Sequence, residues 1–247
     1  MQLSESVVLI TGASRGLGLE VSRAYARRGA RLVLTARDGA ALAAAARTLR
    51  GESAAGAGLD AIVPIPGDVS DSGHTAALVR AGLERFGRID VLVNNASALG
   101  PSPPPSLEAL TPEALLDVLR TNVVAPHALT RQVLPGMIAR RSGVIINVTS
   151  DAAVEPYPGW GGYGASKAAL EHLSRVLAAE VAGSGIRVYV VDPGDMNTRM
   201  HQEAFPGEDI SDRPLPEESV PGLMALLEGD LPPGRYQARA VAVEIAA

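Results

Sequence analysis

The sequence predicts an α/β fold, in which one doubly wound domain holds a parallel sheet of about seven strands flanked by helices. Three observations favour this fold. Short apolar runs recur along the chain, longer segments with helical patterning separate them, and a glycine-rich turn joins the first run to the first helical segment. The 247 residues are 47% hydrophobic, which is enough for one large core, so we expect a single domain over residues 1–247.

Six strands are predicted from runs that are rich in β-branched residues. Most residues of these runs are apolar, and the runs do not alternate in polarity, a pattern that is typical of parallel strands buried on both faces. They cover residues 7–11, 31–36, 61–65, 89–96, 143–150 and 186–193. A seventh strand, at an edge of the sheet, is predicted over residues 239–245.

Helices are predicted over residues 16–28, 38–50, 70–86, 111–140, 161–182 and 217–228. The fourth helix has a strong start, because Thr111 can cap it and Pro112 suits its first turn. Pro126 and Pro135 interrupt the same pattern, so we expect a kink or an early end there.

Two further segments are predicted to be loops. Residues 100–106 are too rich in proline for the interior of a helix or a strand. Residues 195–216 form a long segment of acidic residues, glycine and proline, and a loop of that length in a compact domain is often a lid over a binding site. We therefore expect residues 195–216 to close a substrate pocket.

Composition argues against several classes of protein. The net charge of −5 and the sequence pI near 5.4 are unlike those of a nucleic-acid-binding surface. The absence of cysteine excludes disulfides and thiolate metal sites, and the four histidines lack metal-ligand spacing, so we expect no metal. No run reaches the roughly 18 apolar residues of a membrane span. We expect a cytoplasmic protein that binds neither nucleic acid nor membrane.

A glycine-rich turn, TGASRGLG, runs from Thr11 to Gly18. Glycines allow the backbone to approach a ligand closely, and the free amides at the start of the following helix attract phosphate. Because the turn joins the first predicted strand to the first predicted helix, it is placed where a dinucleotide pyrophosphate binds in α/β folds. The sequence therefore predicts a nucleotide-binding site here.

The spacing Thr-Gly-x-x-x-Gly-x-Gly resembles that of the short-chain dehydrogenase/reductase family, whose domain is of the Rossmann type. The resemblance extends over residues 7 to about 198. It rests on the motif NNAS, in which Ser97 replaces the family's glycine, on Tyr-x-x-x-Lys, and on a serine 13 residues before that tyrosine. The matching positions are Asn94, Asn95, Ala96, Asn122, Ser150, Tyr163, Lys167, Pro193, Gly194 and Thr198.

The resemblance implies an oxidoreductase with the catalytic residues Asn122, Ser150, Tyr163 and Lys167. Tyr163 is implied to be the general acid or base, Ser150 to hold the substrate oxygen, and Asn122 to hold a water that connects Lys167 with solvent. The implied cofactor-binding residues are Gly12, Ser14, Arg15, Gly16, Leu17, Gly18, Arg37, Asp68, Val69, Asn95, Ala96, Tyr163, Lys167, Pro193, Gly194 and Thr198.

Tyr163 and Lys167 are four residues apart, so a helix places them on one face. A free tyrosine has a pKa of about 10. An adjacent ammonium and the positive end of the helix both favour the phenolate. We therefore expect the pKa of Tyr163 to be lowered, which would allow this side chain to exchange a proton near neutral pH.

The residues after the second strand indicate the cofactor. Arginine suits the 2′-phosphate of NADP(H), and an acid suits the free hydroxyl of NAD(H). Arg37, with Arg15 in the glycine-rich turn, favours NADP(H), whereas Asp38 leaves NAD(H) possible. The predicted function is hydride transfer between NADP(H) and a small carbonyl or alcohol substrate; the alternative is a catalytically silent dinucleotide sensor or scaffold.

Three further features of the sequence each allow two interpretations. Trp160 either stacks on a flat substrate or packs in the core, and Asp151 either selects a polar or cationic group or caps a turn. Small residues follow Tyr163, namely Gly164, Ala165, Ala168 and Ala169. They would allow close packing against a second subunit, as expected of a homodimer or homotetramer, or packing within one chain.

Overall fold

One sheet of seven parallel strands runs through the computed structural model, which describes residues 1–54 and 59–241, without the Leu59 side chain. The strands are β1 Val7–Thr11, β2 Arg31–Thr35, β3 Ile62–Pro64, β4 Val91–Asn94, β5 Gly143–Val148, β6 Ile186–Asp192 and β7 Gly234–Gln237. Their order is β3-β2-β1-β4-β5-β6-β7, with every neighbouring pair parallel. The chain reverses its direction of winding between β1 and β4, and ligands bind at such a switch point in open α/β sheets.

Eight α-helices that begin and end within the described residues flank the sheet. They are α1 Gly16–Arg27, α2 Gly39–Glu52, α3 Ser72–Phe86, α4 Pro112–Leu119, α5 Ala125–Arg140, α6 Gly161–Glu180, α7 Arg199–Ala204 and α8 Val220–Glu228. None of the helices formed by the described residues is long and apolar enough to span a bilayer.

The core has two layers, one on each face of the sheet. Val8 and Ile10 of β1 pack into the layer that includes α1, α2 and α8, whereas Val7 and Leu9 pack into the layer that includes α3, α5 and α6. All four side chains are fully buried. Because adjacent residues of a strand point to opposite faces, burial on both faces requires an apolar run without alternation. This confirms the prediction of a doubly wound α/β domain.

The predicted helix 111–140 is divided by a wider π-helical turn over Arg120–Val124. Pro126 lies in the first turn of α5, directly after the π-helical turn, and Pro135 lies inside α5 without ending it. The expected kink or early end is therefore a local widening that precedes Pro126. It places Asn122 inside the protein, where the residue is 1% exposed.

The prediction of an edge strand over residues 239–245 is wrong for its first three residues. Residues 239–241 are helical, and residues 242–247 lie outside the described part of the chain. The edge strand is β7, whose sequence GRYQ alternates in exposure, so it lacks the continuous apolar run of the other strands. The predicted loop 195–216 contains the short helix α7, and residues 100–106 form neither helix nor strand.

Candidate active site

The glycine-rich turn after β1 is packed against the end of β4. A Cβ atom added to Gly18 would lie 2.3 Å from Gly12 O, and one added to Gly12 would lie 2.8 Å from Asn95 Nδ2. Gly12 also has a φ of 69°, a conformation that favours glycine. Side chains at these two positions would fill the turn. Because both positions are glycine, the turn leaves the backbone of Ser14 and Arg15, just before α1, open to a ligand.

Hydrogen bonds fix this turn to the segment after β4. Thr11 Oγ1 accepts from the backbone N–H groups of Asn95 and Ala96 at 3.0 and 2.9 Å. Asn95 Nδ2 donates to Thr11 O at 2.9 Å and to Gly12 O at 3.2 Å. The ends of β1 and β4 thus form one rigid unit at the switch point of the sheet. Leu17 is buried below it.

At the end of β2, Arg37 and Asp38 have different surroundings. Asp38 caps α2 by accepting from Ala41 N at 2.9 Å, so this carboxylate is engaged in the helix start. Arg37 is exposed, and in the described part of the chain it lies in no salt bridge. The same holds for Arg15 at the start of α1. Both arginines remain available to an anion.

Asp68 and Val69 follow β3 on the same side of the sheet. Val69 is buried. Partial burial alone would raise the pKa of Asp68, but hydrogen bonds from Ser70 and the charges of Arg37 and His74 lower it below its usual value. Sequence reasoning missed His74, whose Nε2 lies 2.8 Å from Thr35 Oγ1. Its position on α3 carries no motif, and only the tertiary fold brings it here.

Ser150, Tyr163 and Lys167 converge at the carboxyl end of β5. Ser150 follows the strand, and α6 presents the other two on one face. Lys167 is 2% exposed; its Nζ donates to Val148 O at 2.9 Å and lies 5.5 Å from the centroid of the Tyr163 ring. Val148 O is the one acceptor that the described residues offer this ammonium. Burial lowers the pKa of Lys167 from 10.5 to about 8.

The expected lowering of the Tyr163 pKa is wrong for this arrangement. Burial raises the pKa of Tyr163 to about 12, the hydroxyls of Ser97 and Ser150 lower it in part, and the charges of Asp192 and Asp151 raise it again. The phenol therefore faces two carboxylates as well as the ammonium of Lys167. Desolvation, which helix periodicity cannot reveal, outweighs the favourable neighbours.

The side chain of Asn122 is fully hydrogen-bonded within the protein. Its Nδ2 donates to Ala98 O and Ser166 Oγ, both at 2.9 Å, and its Oδ1 accepts from Ala98 N at 2.7 Å and Ser97 Oγ at 3.2 Å. Both donors and both acceptor positions are used. The Asn122 side chain therefore ties the loop after β4 to α6, and the water that the resemblance implies at this residue stays a prediction.

Asp151 caps a turn, which was one of its two interpretations. Its Oδ1 accepts from Ala152 N at 2.8 Å and from Ser150 Oγ at 2.9 Å, and its Oδ2 accepts from Tyr157 OH at 2.9 Å. The carboxylate orients the Ser150 hydroxyl and connects it with Tyr157 at the exposed rim.

The turn after β6 approaches the glycine-rich turn. Gly194 has a φ of 72°, and Ser219 Oγ donates to Pro193 O at 2.8 Å. Thr198 caps α7, and its Cγ2 would lie 3.6 Å from a Cβ atom on Gly16. The predicted cofactor-binding residues after β1 and after β6 thus face each other.

Aromatic side chains form a wall beside Tyr163. The ring of Trp160 lies 5.6 Å from that of Tyr163 in an edge-to-face arrangement and 5.8 Å from that of Phe205. His201 lies 4.9 Å from Phe205. Phe205 directly follows α7, so the segment 195–216 contributes one ring to this wall. Trp160 is partly exposed and contributes to this wall.

Comparison with known proteins gives the family. The family model for short chain dehydrogenases matches residues 6–209. The chain belongs to this family. Over 209 residues it is 36% identical to 2-(R)-hydroxypropyl-CoM dehydrogenase of Xanthobacter autotrophicus, a match that covers 85% of this chain and 82% of that protein.

Solved structures of the family have the same architecture. A metagenomic short-chain oxidoreductase in complex with NADP superposes with a TM-score of 0.78 and 31% identity, covering 96% of this chain and 97% of that one. An alcohol dehydrogenase from Thermococcus sibiricus, complexed with 5-hydroxy-NADP, gives a TM-score of 0.81 and 29% identity, with coverage of 96% and 97%.

The residues of the site fit a nicotinamide dinucleotide. The close approach of Gly12 and Gly18 leaves backbone amides free for a pyrophosphate, and Thr198 lies opposite them. Arg15 and Arg37 are exposed cations that lie in no salt bridge among the described residues, and the buried ammonium of Lys167 uses one of its three donors on Val148 O. In residues 1–54 and 59–241 no group of three His, Asp or Glu side chains is placed to hold a metal ion.

Proposed function

We propose that this short-chain dehydrogenase is an NADP(H)-dependent oxidoreductase that interconverts a carbonyl compound and its alcohol, with Tyr163 as general acid or base. The observation that carries the proposal is the convergence of Ser150, Tyr163 and Lys167 at the end of β5, beside a turn that fits a dinucleotide. The family membership and the NADP complexes of related structures support it.

In this proposal the bound nicotinamide supplies or accepts the hydride, and the protein handles the proton. The Ser150 hydroxyl donates a hydrogen bond to Asp151 Oδ1 in this structure, and it rotates to donate to the substrate oxygen instead. Tyr163 gives its proton to that oxygen, and the ammonium of Lys167 stabilises the phenolate that remains. With a pKa of about 12, Tyr163 is protonated at neutral pH, which favours its action as an acid in carbonyl reduction.

Turnover is tested with a panel of ketones, aldehydes and quinones, followed by the absorbance of NADPH. We expect oxidation of NADPH with at least one class of carbonyl. If NADPH binds but no compound of the panel is reduced and no corresponding alcohol is oxidised, the catalytically silent alternative gains support instead. The comparisons give that alternative no support, since the named relatives cited above are dehydrogenases or oxidoreductases.

The same panel of carbonyl compounds, used with the variant Phe205→Ala, tests whether the aromatic wall lines the substrate pocket. Removing the ring that contacts Trp160 enlarges the pocket, so the ratio of kcat/KM for bulky over small ketones should change by about tenfold. The Kd for NADPH should change less than about twofold. Phe86→Ala on α3 is the matched control, since it weakens the core and should leave the substrate ratio unchanged. If Phe205→Ala changes the Kd for NADPH more than the ratio of kcat/KM values, the prediction that residues 195–216 close the substrate pocket is contradicted.

The proposed preference for NADP(H) rests on Arg37 and on the use of Asp38 as a helix cap. In Arg37→Asp, a charge-assisted contact to the 2′-phosphate becomes a repulsion, so the ratio of NADPH to NADH affinity should fall about 100-fold. Fluorescence titration with both cofactors measures this ratio. Arg47→Asp, an exposed charge reversal on α2, is the control. An unchanged ratio in Arg37→Asp would refute the assignment.

We also propose that the protein is a homodimer or homotetramer. Leu173 and Val176 of α6 are each 42% exposed, and Ala165 of the same helix is also exposed. Gly164 packs within the chain instead, because a Cβ atom there would lie 2.5 Å from Ala152 O. The partly apolar outer face of α6 supports association with a second copy. The cytoplasmic location stays a prediction.

A further inference from the structure

Three charged side chains meet behind the reaction centre. Arg235 of β7 places Nε 3.0 Å from Glu171 Oε1 of α6 and Nη2 3.0 Å from Asp192 Oδ2 at the end of β6. Glu171 and Asp192 are each 3% exposed. Two buried carboxylates thus share one cation, which neither the family motifs nor the helix and strand patterns indicate.

Each member of this group also holds a part of the candidate active site. Glu171 accepts from Thr149 Oγ1 at 2.8 Å, Asp192 Oδ1 accepts from Gly194 N at 2.9 Å, and Arg235 Nη2 donates to Ser150 O at 3.4 Å. Glu171 lies one helical turn after Lys167 and two after Tyr163 on α6. The group therefore joins the strand end that carries Ser150, the helix that carries Tyr163, and the turn at Gly194.

We infer that Arg235 is a positioning residue for the proposed reaction: its guanidinium holds Ser150, α6 and the Gly194 turn in one arrangement and neutralises the carboxylate of Asp192 that faces Tyr163. This inference rests on the proposed function. Arginine suits the task because its planar fork can bind two carboxylates at once and keeps its charge at every relevant pH.

The electrostatic consequence follows from the groups that face the phenol. Lys167 lies on its own helix, Asp151 and Ser150 follow β5, Asp192 ends β6, and Ser97 follows β4. Burial raises the pKa of Asp192, whereas Gly194 N–H and Arg235 lower it and Asp151 raises it. Without Arg235, the charge of Asp192 would act on Tyr163 uncompensated, and the phenolate would become harder to form.

The competing explanation is that Arg235 merely attaches the edge strand β7 to the sheet. Arg187 provides a matched comparison, because it anchors the opposite end of the neighbouring strand. Its guanidinium donates to Gly229 O at 2.6 Å and to Leu227 O at 3.2 Å. Loss of Arg187 should therefore lower stability, as expected of a purely structural arginine. It would not leave a carboxylate beside Tyr163 without its cation.

The test compares Arg235→Met, Arg187→Met, and the double variant Asp192→Asn with Arg235→Met. The ultraviolet absorption of tyrosinate is titrated in each, with Tyr163→Phe in the same background subtracted to isolate Tyr163. We expect its midpoint to rise by about one pH unit in Arg235→Met, to return toward the wild-type value in the double variant, and to stay unchanged in Arg187→Met. The pH profile of alcohol oxidation should move in parallel.

An unchanged Tyr163 midpoint in Arg235→Met, or a double variant that restores nothing, would overturn the inference. Should Arg235→Met fail to fold, Asp192→Asn alone decides: it keeps an acceptor for Gly194 N and should lower the midpoint, and an unchanged midpoint again overturns the inference. Because the titration requires no turnover, a lack of carbonyl reductase activity would count against the proposed function and not against the role of Arg235.

Discussion

Replacing Tyr163 by phenylalanine is expected to lower kcat for carbonyl reduction about 10³-fold, while the Kd for NADPH changes only a few fold. The substitution removes the one hydroxyl that the proposed mechanism uses as a proton donor and keeps the ring that packs against Trp160. Stopped-flow absorbance of NADPH measures the chemical step, and fluorescence titration measures cofactor binding. Loss of rate without loss of binding is the expected combination.

Tyr25→Phe is the matched control for this experiment. Tyr25 is fully buried in the core, and within the described residues its hydroxyl has no hydrogen-bond partner. Removing that hydroxyl should leave kcat unchanged and should not lower stability, since a buried polar group without a partner is itself a cost. Wild-type turnover in Tyr163→Phe would exclude Tyr163 as the proton donor, even if cofactor binding were intact.

The fold could be predicted from the sequence because its determinants are local. Strands β1, β2, β4, β5 and β6 are buried on both faces, and continuous apolar runs are the direct result of that burial. The strand β7 lies at an edge and alternates in exposure, so it lacks this pattern. Its position was predicted wrongly for that reason.

The candidate site could be predicted only as far as its motifs extend. Gly12, Tyr163 and Lys167 stand in short motifs whose geometry follows from a turn or from helix periodicity. Arg235 and Glu171 are 64 residues apart and meet only when β7 pairs beside β6. Long-range charge pairs of this kind leave no local spacing from which to predict them.

The direction of the Tyr163 pKa shift likewise could not be predicted from local spacing. Helix spacing correctly places Lys167 beside the phenol, but it does not show how far both groups are removed from water. Burial raises the pKa of Tyr163 to about 12 and lowers that of Lys167 to about 8. Both shifts disfavour the charged forms. At neutral pH the phenol is neutral in the folded and in the unfolded chain, so only the charge of Lys167 is held at an energetic cost, which the folded protein must offset elsewhere.

Replacing Lys167 by methionine is therefore expected to stabilise the protein while it inactivates the enzyme. The fall of the Lys167 pKa from 10.5 to about 8 corresponds to about 3 kcal/mol for holding this charge at neutral pH. Loss of the hydrogen bond to Val148 O offsets about 1 kcal/mol. The free energy of unfolding at pH 7 should rise by about 2 kcal/mol, as measured by urea denaturation, and kcat should fall about 100-fold.

The pH dependence separates this explanation from a simple improvement in packing. The unfolded chain binds the Lys167 proton more tightly than the folded protein, so the stability of the wild type rises with pH between about 8 and 10.5. The advantage of Lys167→Met should be complete below about pH 8 and should disappear by pH 10.5. An advantage that does not vary with pH would point to packing.

Lys167 is the only lysine in the sequence, which makes the underlying titration directly observable. Protein labelled with ¹³C-lysine should give one lysine side-chain signal, whose chemical shift reports a pKa of about 8. Lys167→Arg is the matched control, because arginine keeps its charge when buried; it should lower both stability and kcat. A lysine pKa near 10.5 would show that burial does not destabilise the charged form of Lys167. The predicted rise in the free energy of unfolding of Lys167→Met would then have no basis.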